Sequence, residues 1–146
     1  MAYSGKYHVK NPEKYKGDIN NVRWLSTWEL CLMKWLDNNS HVIIWASEEI
    51  IIPYFDPIKK KIRKYMIDFY IHFDNGKRVL VEVKPTNQTI APKVPKRKTK
   101  KYFVESYRYI NNLAKWDAAA KYAMKKDVSF EIWDQKKLRS IGLKII

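Results

Sequence analysis

Apolar positions recur at helical spacing just after residue 26. Leu32, Met33 and Leu36 follow Glu29 at i+3, i+4 and i+7, which places Glu29 on the stripe that faces a core. Ser26 is suited to cap this helix, Glu29 stands three residues on, and Leu25 and Leu30 can staple its start. The pattern predicts a helix ending near Asp37, stopped by Asn38-Asn39. Residues 42–45 and 50–52 read as strands, and Pro53 and Asp56-Pro57 break the pattern into a turn. Residues 63–73 read as a second strand and 77–84 as a third, joined by Asp74-Asn75-Gly76. Helical spacing returns with Phe103, Tyr107, Ile110, Leu113 and Ala114. Asn111-Asn112 is a candidate break within it, with a second helix running to about Lys126. In 128–133, Val128, Phe130 and Ile132 share one strand face; Asp134 then caps a short helix stopped by Gly142. Residues 1–21 read as a polar, basic arm, and 85–98, with Pro85, Pro92 and Pro95, as an exposed basic loop. The order α-β-β-β-α-β predicts an α/β fold, a mixed central sheet flanked by helices, in one domain over 1–146.

Charge narrows the partner. The chain has 146 residues, 46% hydrophobic, with six Trp and ten Tyr, which suits a packed core. Its 29 Lys and Arg outnumber 15 Asp and Glu, for a net +14. Such an excess suggests a polyanion, with nucleic acid ahead of a membrane surface. No stretch approaches the roughly 18 apolar residues of a membrane span. The opening MAYSGKYHVK has no apolar signal region, so a cytosolic product is expected. The single cysteine, Cys31, reads as a small core residue rather than a nucleophile.

The chemistry concentrates in VLVEVKP, residues 79–85. Glu82 and Lys84 share one face of an apolar strand, and burying both is costly unless they are paired, hydrated or metal-bound. Asp68, in YMIDFYIHF, is a second carboxylate in an apolar strand. A two-residue Asn75-Gly76 turn would set Asp68 opposite Val83. A three-residue turn, with Asp74 and Asn75 in a type I turn and Gly76 left-handed, sets Asp68 opposite Glu82, and this common hairpin is the one favoured here. Two carboxylates that close repel unless one is protonated or a cation lies between them, and Mg²⁺ suits one or two carboxylates. The same residues also fit a structural ion cluster neutralised by Lys84. Likewise Glu29 is explained as a capping residue, though an inward carboxylate at a helix start can also serve a site, and Glu48 and Glu49 read as a solvated pair, with a supporting place behind the site as the alternative.

Glu29 on the first helix, Asp68 on the second strand and Glu82-x-Lys84 on the third resemble the PD-(D/E)XK nuclease superfamily over residues 24–133. Ile67 stands where that motif has a proline. Segments MAYSGKY, STWE, WLD, IPY, IDF and VEVKP further resemble the head completion proteins of T-even-like tailed phages. The resemblance implies a restriction-endonuclease-like core and a factor acting on the phage head after DNA packaging. It implies DNA and the portal or neck as partners, and the host cytoplasm during assembly, with the virion as a further location. In a working site, Asp68, Glu82 and the Val83 carbonyl would hold Mg²⁺ or Mn²⁺, Lys84 would act on the attacking water, and Glu29 would assist. The activity expected is DNA endonuclease; the alternative is a structural virion protein with an idle site. Two basic runs are candidate DNA contacts: Lys59, Lys60, Lys61, Arg63 and Lys64, then Lys93, Lys96, Arg97, Lys98, Lys100 and Lys101. Both are expected at the same end of the sheet, with backbone contacts and no base reading.

Overall fold

The computed structural model describes residues 4–145. In chain order the elements are β1 (Gly5–Lys6), β2 (Arg23–Trp24), α1 (Thr27–Asn38), β3 (Val42–Ser47), β4 (Ile51–Asp56), β5 (Lys61–Met66), β6 (Phe69–Phe73), β7 (Arg78–Val83), α2 (Lys100–Lys125), β8 (Ser129–Trp133) and α3 (Gln135–Ser140). Helix α1 starts where its cap predicts: Ser26 Oγ accepts from the Glu29 amide at 3.2 Å and donates to Glu29 Oε2 at 3.1 Å.

One sheet carries the fold, in the order β3-β6-β7-β8. Its first three strands are antiparallel, and β8 runs parallel to β7 after the crossover through α2. Alternation divides the side chains between two cores. Trp45, Phe69, Ile71, Val79 and Val81 pack toward α1 with Leu32, Met33 and Leu36. Leu80, Tyr70, Phe130 and Ile132 pack toward α2 with Trp116, Ala119 and Ala123. The expected α-β-β-β-α-β core is present, and the β4–β5 hairpin is inserted between its first two strands.

Several expectations need correction. The strand expected over 63–73 is two strands in different sheets. β5 pairs only with β4, and the chain turns at Ile67 and Asp68, where the Ile67 amide bonds to Ile50 O and the Glu48 amide to Asp68 O. Pro53 does not end β4. It lies opposite Lys64 in a two-stranded ribbon, where a missing amide donor is tolerated.

Asn111-Asn112 does not divide the helical region, since α2 is continuous over 26 residues. Its apolar stripe is also on the wrong side for a core: Phe103, Tyr107, Ile110 and Leu113 are exposed. The inward face is Asn112, Trp116, Ala119 and Ala123, where small alanines let the helix approach the sheet closely.

The N-terminal arm is not peripheral. Tyr7 and Tyr15 are buried edge-on against Trp45. Asp37, 0% exposed at the end of α1, accepts from the Tyr7 hydroxyl at 2.6 Å and from the Lys10 and Asn11 amides at 2.8 and 3.1 Å. Lys14 Nζ donates to the last carbonyls of α1 at 2.8–2.9 Å, from Leu36, Asp37 and Asn39.

Candidate active site

The β6–β7 turn has three residues. Phe73 N donates to Lys77 O at 2.8 Å, Gly76 N to Phe73 O at 3.0 Å, and Gly76 sits at φ +91°. Register follows from it: Phe69 pairs with Val81, Tyr70 with Leu80, Ile71 with Val79 and His72 with Arg78. Asp68 stands one residue before the paired part of β6, at the bend, and its carboxyl feels that of Glu82. Asp68 Oδ2 accepts from the Val83 amide at 2.9 Å.

Glu82 is 5% exposed. Its Oε2 accepts from the Tyr65 hydroxyl at 2.6 Å, and its Oε1 lies 3.7 Å from Lys84 Nζ. Burial pushes both carboxyls above the usual range, and the two groups also act on each other. At Glu82 the Tyr65 bond and the Lys84 and Lys115 ammoniums pull the other way. At Asp68 the Glu82 and Glu29 carboxylates add to burial. Glu29 is itself raised, by burial first and then by Glu48 and Glu82, so the capping residue also belongs to this acidic group.

Glu48 belongs to it too. Its carboxyl is raised by burial and by Glu82. Glu48 holds a left-handed backbone, φ +55°, a conformation costing a non-glycine residue of order 1 kcal/mol. Glu49, next in the chain, packs on Gly17 and accepts from the Asp18 amide at 3.4 Å. Nothing in the local sequence signals a left-handed glutamate. Glu48 is half-buried, whereas Glu49 is exposed.

A second lysine reaches the site. Lys115 of α2 lies over the rings of Tyr54 and Tyr65, with Nζ 5.8 and 5.6 Å from their centroids. Burial lowers its pKa, while the fields of Glu82 and Asp68 favour its charge. Periodicity missed it because the visible apolar stripe of α2 lies on the other face.

The basic runs are placed differently from expectation. Lys59 and Lys60 form the β4–β5 turn, and Lys61, Arg63 and Lys64 lie on β5, outside the central sheet. Arg63 turns inward to Asp56 at 3.0 Å. Lys93, Lys96, Arg97 and Lys98 are exposed in the loop before α2, and Lys100 and Lys101 open that helix. The runs therefore do not share a sheet end, because β5 has left the sheet. Instead α2 packs against the hairpin, and a cavity between them is lined by Lys59, Arg63, Tyr107 and Arg108.

The donor set suits a hard cation that keeps much of its water. Among the described residues no three His, Cys, Asp or Glu side chains form a ready metal cage. Two opposed, partly neutralised carboxylates beside a strand-end backbone are what Mg²⁺ or Mn²⁺ asks of a protein.

A family model described as "TnsA-like endonuclease N terminal" matches residues 39–135. The chain belongs to the TnsA-like endonuclease family. It is also 37% identical, over 148 residues and 99% of both chains, to a protein of Enterobacteria phage T4 named "Head completion nuclease". The region shared with the family contains Glu48, Asp68, Glu82, Lys84 and Lys115, and it begins after α1, so Glu29 lies outside it. Among the described residues no helix is long and apolar enough to cross a membrane.

Proposed function

We propose that the protein is a phage head completion nuclease, a divalent-metal-dependent DNA endonuclease acting on packaged or terminal DNA. The observation that carries this reading is the buried carboxyl of Asp68, bonded to the Val83 amide and within the field of Glu82, with Lys84 beside Glu82. Asp68, Glu82 and the Val83 carbonyl would hold Mg²⁺ or Mn²⁺. Such an ion supplies an activated water and offsets the charge developing on the phosphate.

The chain's own groups have separate tasks. Tyr65 keeps Glu82 oriented and favours its ionised form. Lys84 Nζ, beside Glu82, positions or deprotonates the attacking water. Lys115 is a second cation for a phosphate oxygen, held above two aromatic rings. Glu29 and Glu48 position the others through the shared field. The exposed lysines and arginines of the two runs bind backbone phosphates, which accounts for the net +14. Portal or neck proteins are the expected partners, and host cytoplasm during assembly the expected setting.

The 3.7 Å Glu82–Lys84 pair favours one competing reading, a structural virion protein whose site is only an ion cluster. A plasmid assay separates the two. Purified protein should nick supercoiled plasmid with Mg²⁺ or Mn²⁺ and not with EDTA. Glu82→Ala and Lys84→Ala should each abolish nicking. Tight DNA binding without cutting under any metal would favour the structural reading.

A further inference from the structure

Beside the site, the turn at Thr86–Gln88 and helix α2 enclose a cavity of about 250 Å³. Its walls include Asn87, Gln88, Arg108, Tyr109 and Asn112, with one carboxylate, Glu105, which also forms an ion pair with Lys101. Asn112 is 5% exposed, and its Nδ2 has no hydrogen-bond partner within the protein. An amide donor buried this way costs about 1–3 kcal/mol, so its retention calls for an explanation. Its neighbour Asn111 likewise leaves Oδ1 buried and unpaired, at the cavity shared with the β4–β5 hairpin.

Position connects the cavity to the chemistry. Arg108, Asn112 and Lys115 recur at i, i+4 and i+7, so they form one stripe along α2, about 10 Å long. Lys115 ends that stripe among the site carboxylates. On the opposite wall the turn follows Lys84 by two residues and is held rigidly. The Thr86 amide donates to Gln135 Oε1 at 3.0 Å and its hydroxyl to Asp134 Oδ2 at 2.9 Å. The cavity and the carboxylates therefore lie along one face of α2, and the cavity's opposite wall is held in place.

We infer that this cavity holds the base of the nucleotide adjoining the scissile phosphate, turned out of its stack. The Asn112 carboxamide, on rotating toward the cavity, donates to an acceptor on the base edge, Gln88 and Asn87 complete the polar contacts, Tyr109 offers a ring face, and Arg108 takes the neighbouring phosphate. The choice of a nucleotide as ligand rests on the endonuclease reading. It adds a base-level contact to a surface otherwise suited to backbone alone.

Two measurements test it. Nicks made by wild-type protein on long duplex DNA are mapped by sequencing their ends. One position next to the cut should depart from template composition by about fivefold, the size of a single hydrogen-bonded contact. Asn112→Leu and Gln88→Ala should each flatten that bias. Uniform base usage in the wild type, or a bias unchanged in both variants, would overturn the inference.

The second measurement needs no cutting. Deoxynucleoside 5′-monophosphates are titrated in EDTA into ¹⁵N-labelled wild-type protein. The Asn112 side-chain amide resonances should shift, and deoxyribose 5-phosphate should leave them in place. An amide that is silent, or that responds equally to the base-free sugar phosphate, would overturn the pocket. A shift specific to the nucleotide in a protein that never nicks DNA would uphold the pocket and count against the endonuclease reading.

Discussion

Tyr65 and Glu82 belong to different sheets, yet the Tyr65 hydroxyl donates to Glu82 Oε2 at 2.6 Å. The inserted hairpin is thus fastened to a carboxylate of the candidate site through its last inward-facing side chain. Bonds to an ionised carboxylate are among the stronger ones, and this one opposes the burial that favours the neutral acid.

Tyr65→Phe keeps the ring and the Lys115 contact and removes only the donor. The Glu82 carboxyl should then titrate still higher. A bond to a charged group is worth about 1.5–3 kcal/mol, or at least one pK unit. The acid limb of the nicking–pH profile should move up by about that unit, with roughly tenfold loss on that limb and little at high pH. An unmoved limb would show that Tyr65 does not govern Glu82.

Metal-free protein should lose stability as pH rises. Asp68 and Glu82 have folded-state pKa values above their ordinary ones, so the folded state holds protons that the unfolded chain releases. The loss begins at the usual carboxylate range and is complete above the raised values. Asp68→Asn should therefore raise Tm at pH 8 by roughly 3 °C, equivalent to about 1 kcal/mol in a chain of this size. Mg²⁺ should raise the wild-type Tm more at pH 8 than at pH 6, and leave that of Asp68→Asn unmoved. Scanning calorimetry checks both.

The α1 anchor behaves with the opposite sign. Asp37 has a carboxyl held below its usual value: burial alone would raise it, and bonds from Tyr7, Lys10 and Asn11 overcome that. Its contribution is fully present above the ordinary carboxylate pKa and is lost as pH falls through the lower folded-state value. Asp37→Ala should cost about 3 kcal/mol at pH 7, because several buried donors lose their acceptor. Urea unfolding should show the gap to wild type closing below about pH 4, near the ordinary value for aspartate.

Binding and cutting should separate. Replacing Lys96, Arg97 and Lys98 with alanine should weaken DNA binding and lower the salt slope by about 3, close to one per phosphate contact. Glu82→Ala should leave that slope unchanged. A slope unaffected by the triple substitution would move the DNA elsewhere on the surface.

The legible parts of the chain were those written in local chemistry. Ser26 and Asp134 marked helix starts, Gly142 a helix end, and Asp74-Asn75-Gly76 the three-residue turn that sets the β6–β7 register. What escaped depended on the third dimension. The strand break at Ile67 comes from Ile50 claiming its amide, 17 residues away in sequence. The face of α2 was misread because its exposed stripe is the more apolar one, whereas its buried face carries Asn112 and alanines. Lys115 was invisible because it stands on that misread face, and Glu48, though visible as an acid near a strand end, gave no sign of its left-handed backbone.

The tight β6–β7 turn also bears on the order in which the chain can assemble. Asp68 and Glu82 are only 14 residues apart, so their hairpin can close on contacts of short sequence separation. Lys115 arrives later, with the crossover that lays β8 beside β7. While the hairpin stands alone in water, the two negative charges repel only weakly, since solvent screens them. Their repulsion grows when α2 closes over the sheet and excludes that water. The same closure delivers Lys115, so the electrostatic penalty and its partial remedy come in one step. A chain halted before α2 would hold the carboxylate pair nearly without strain.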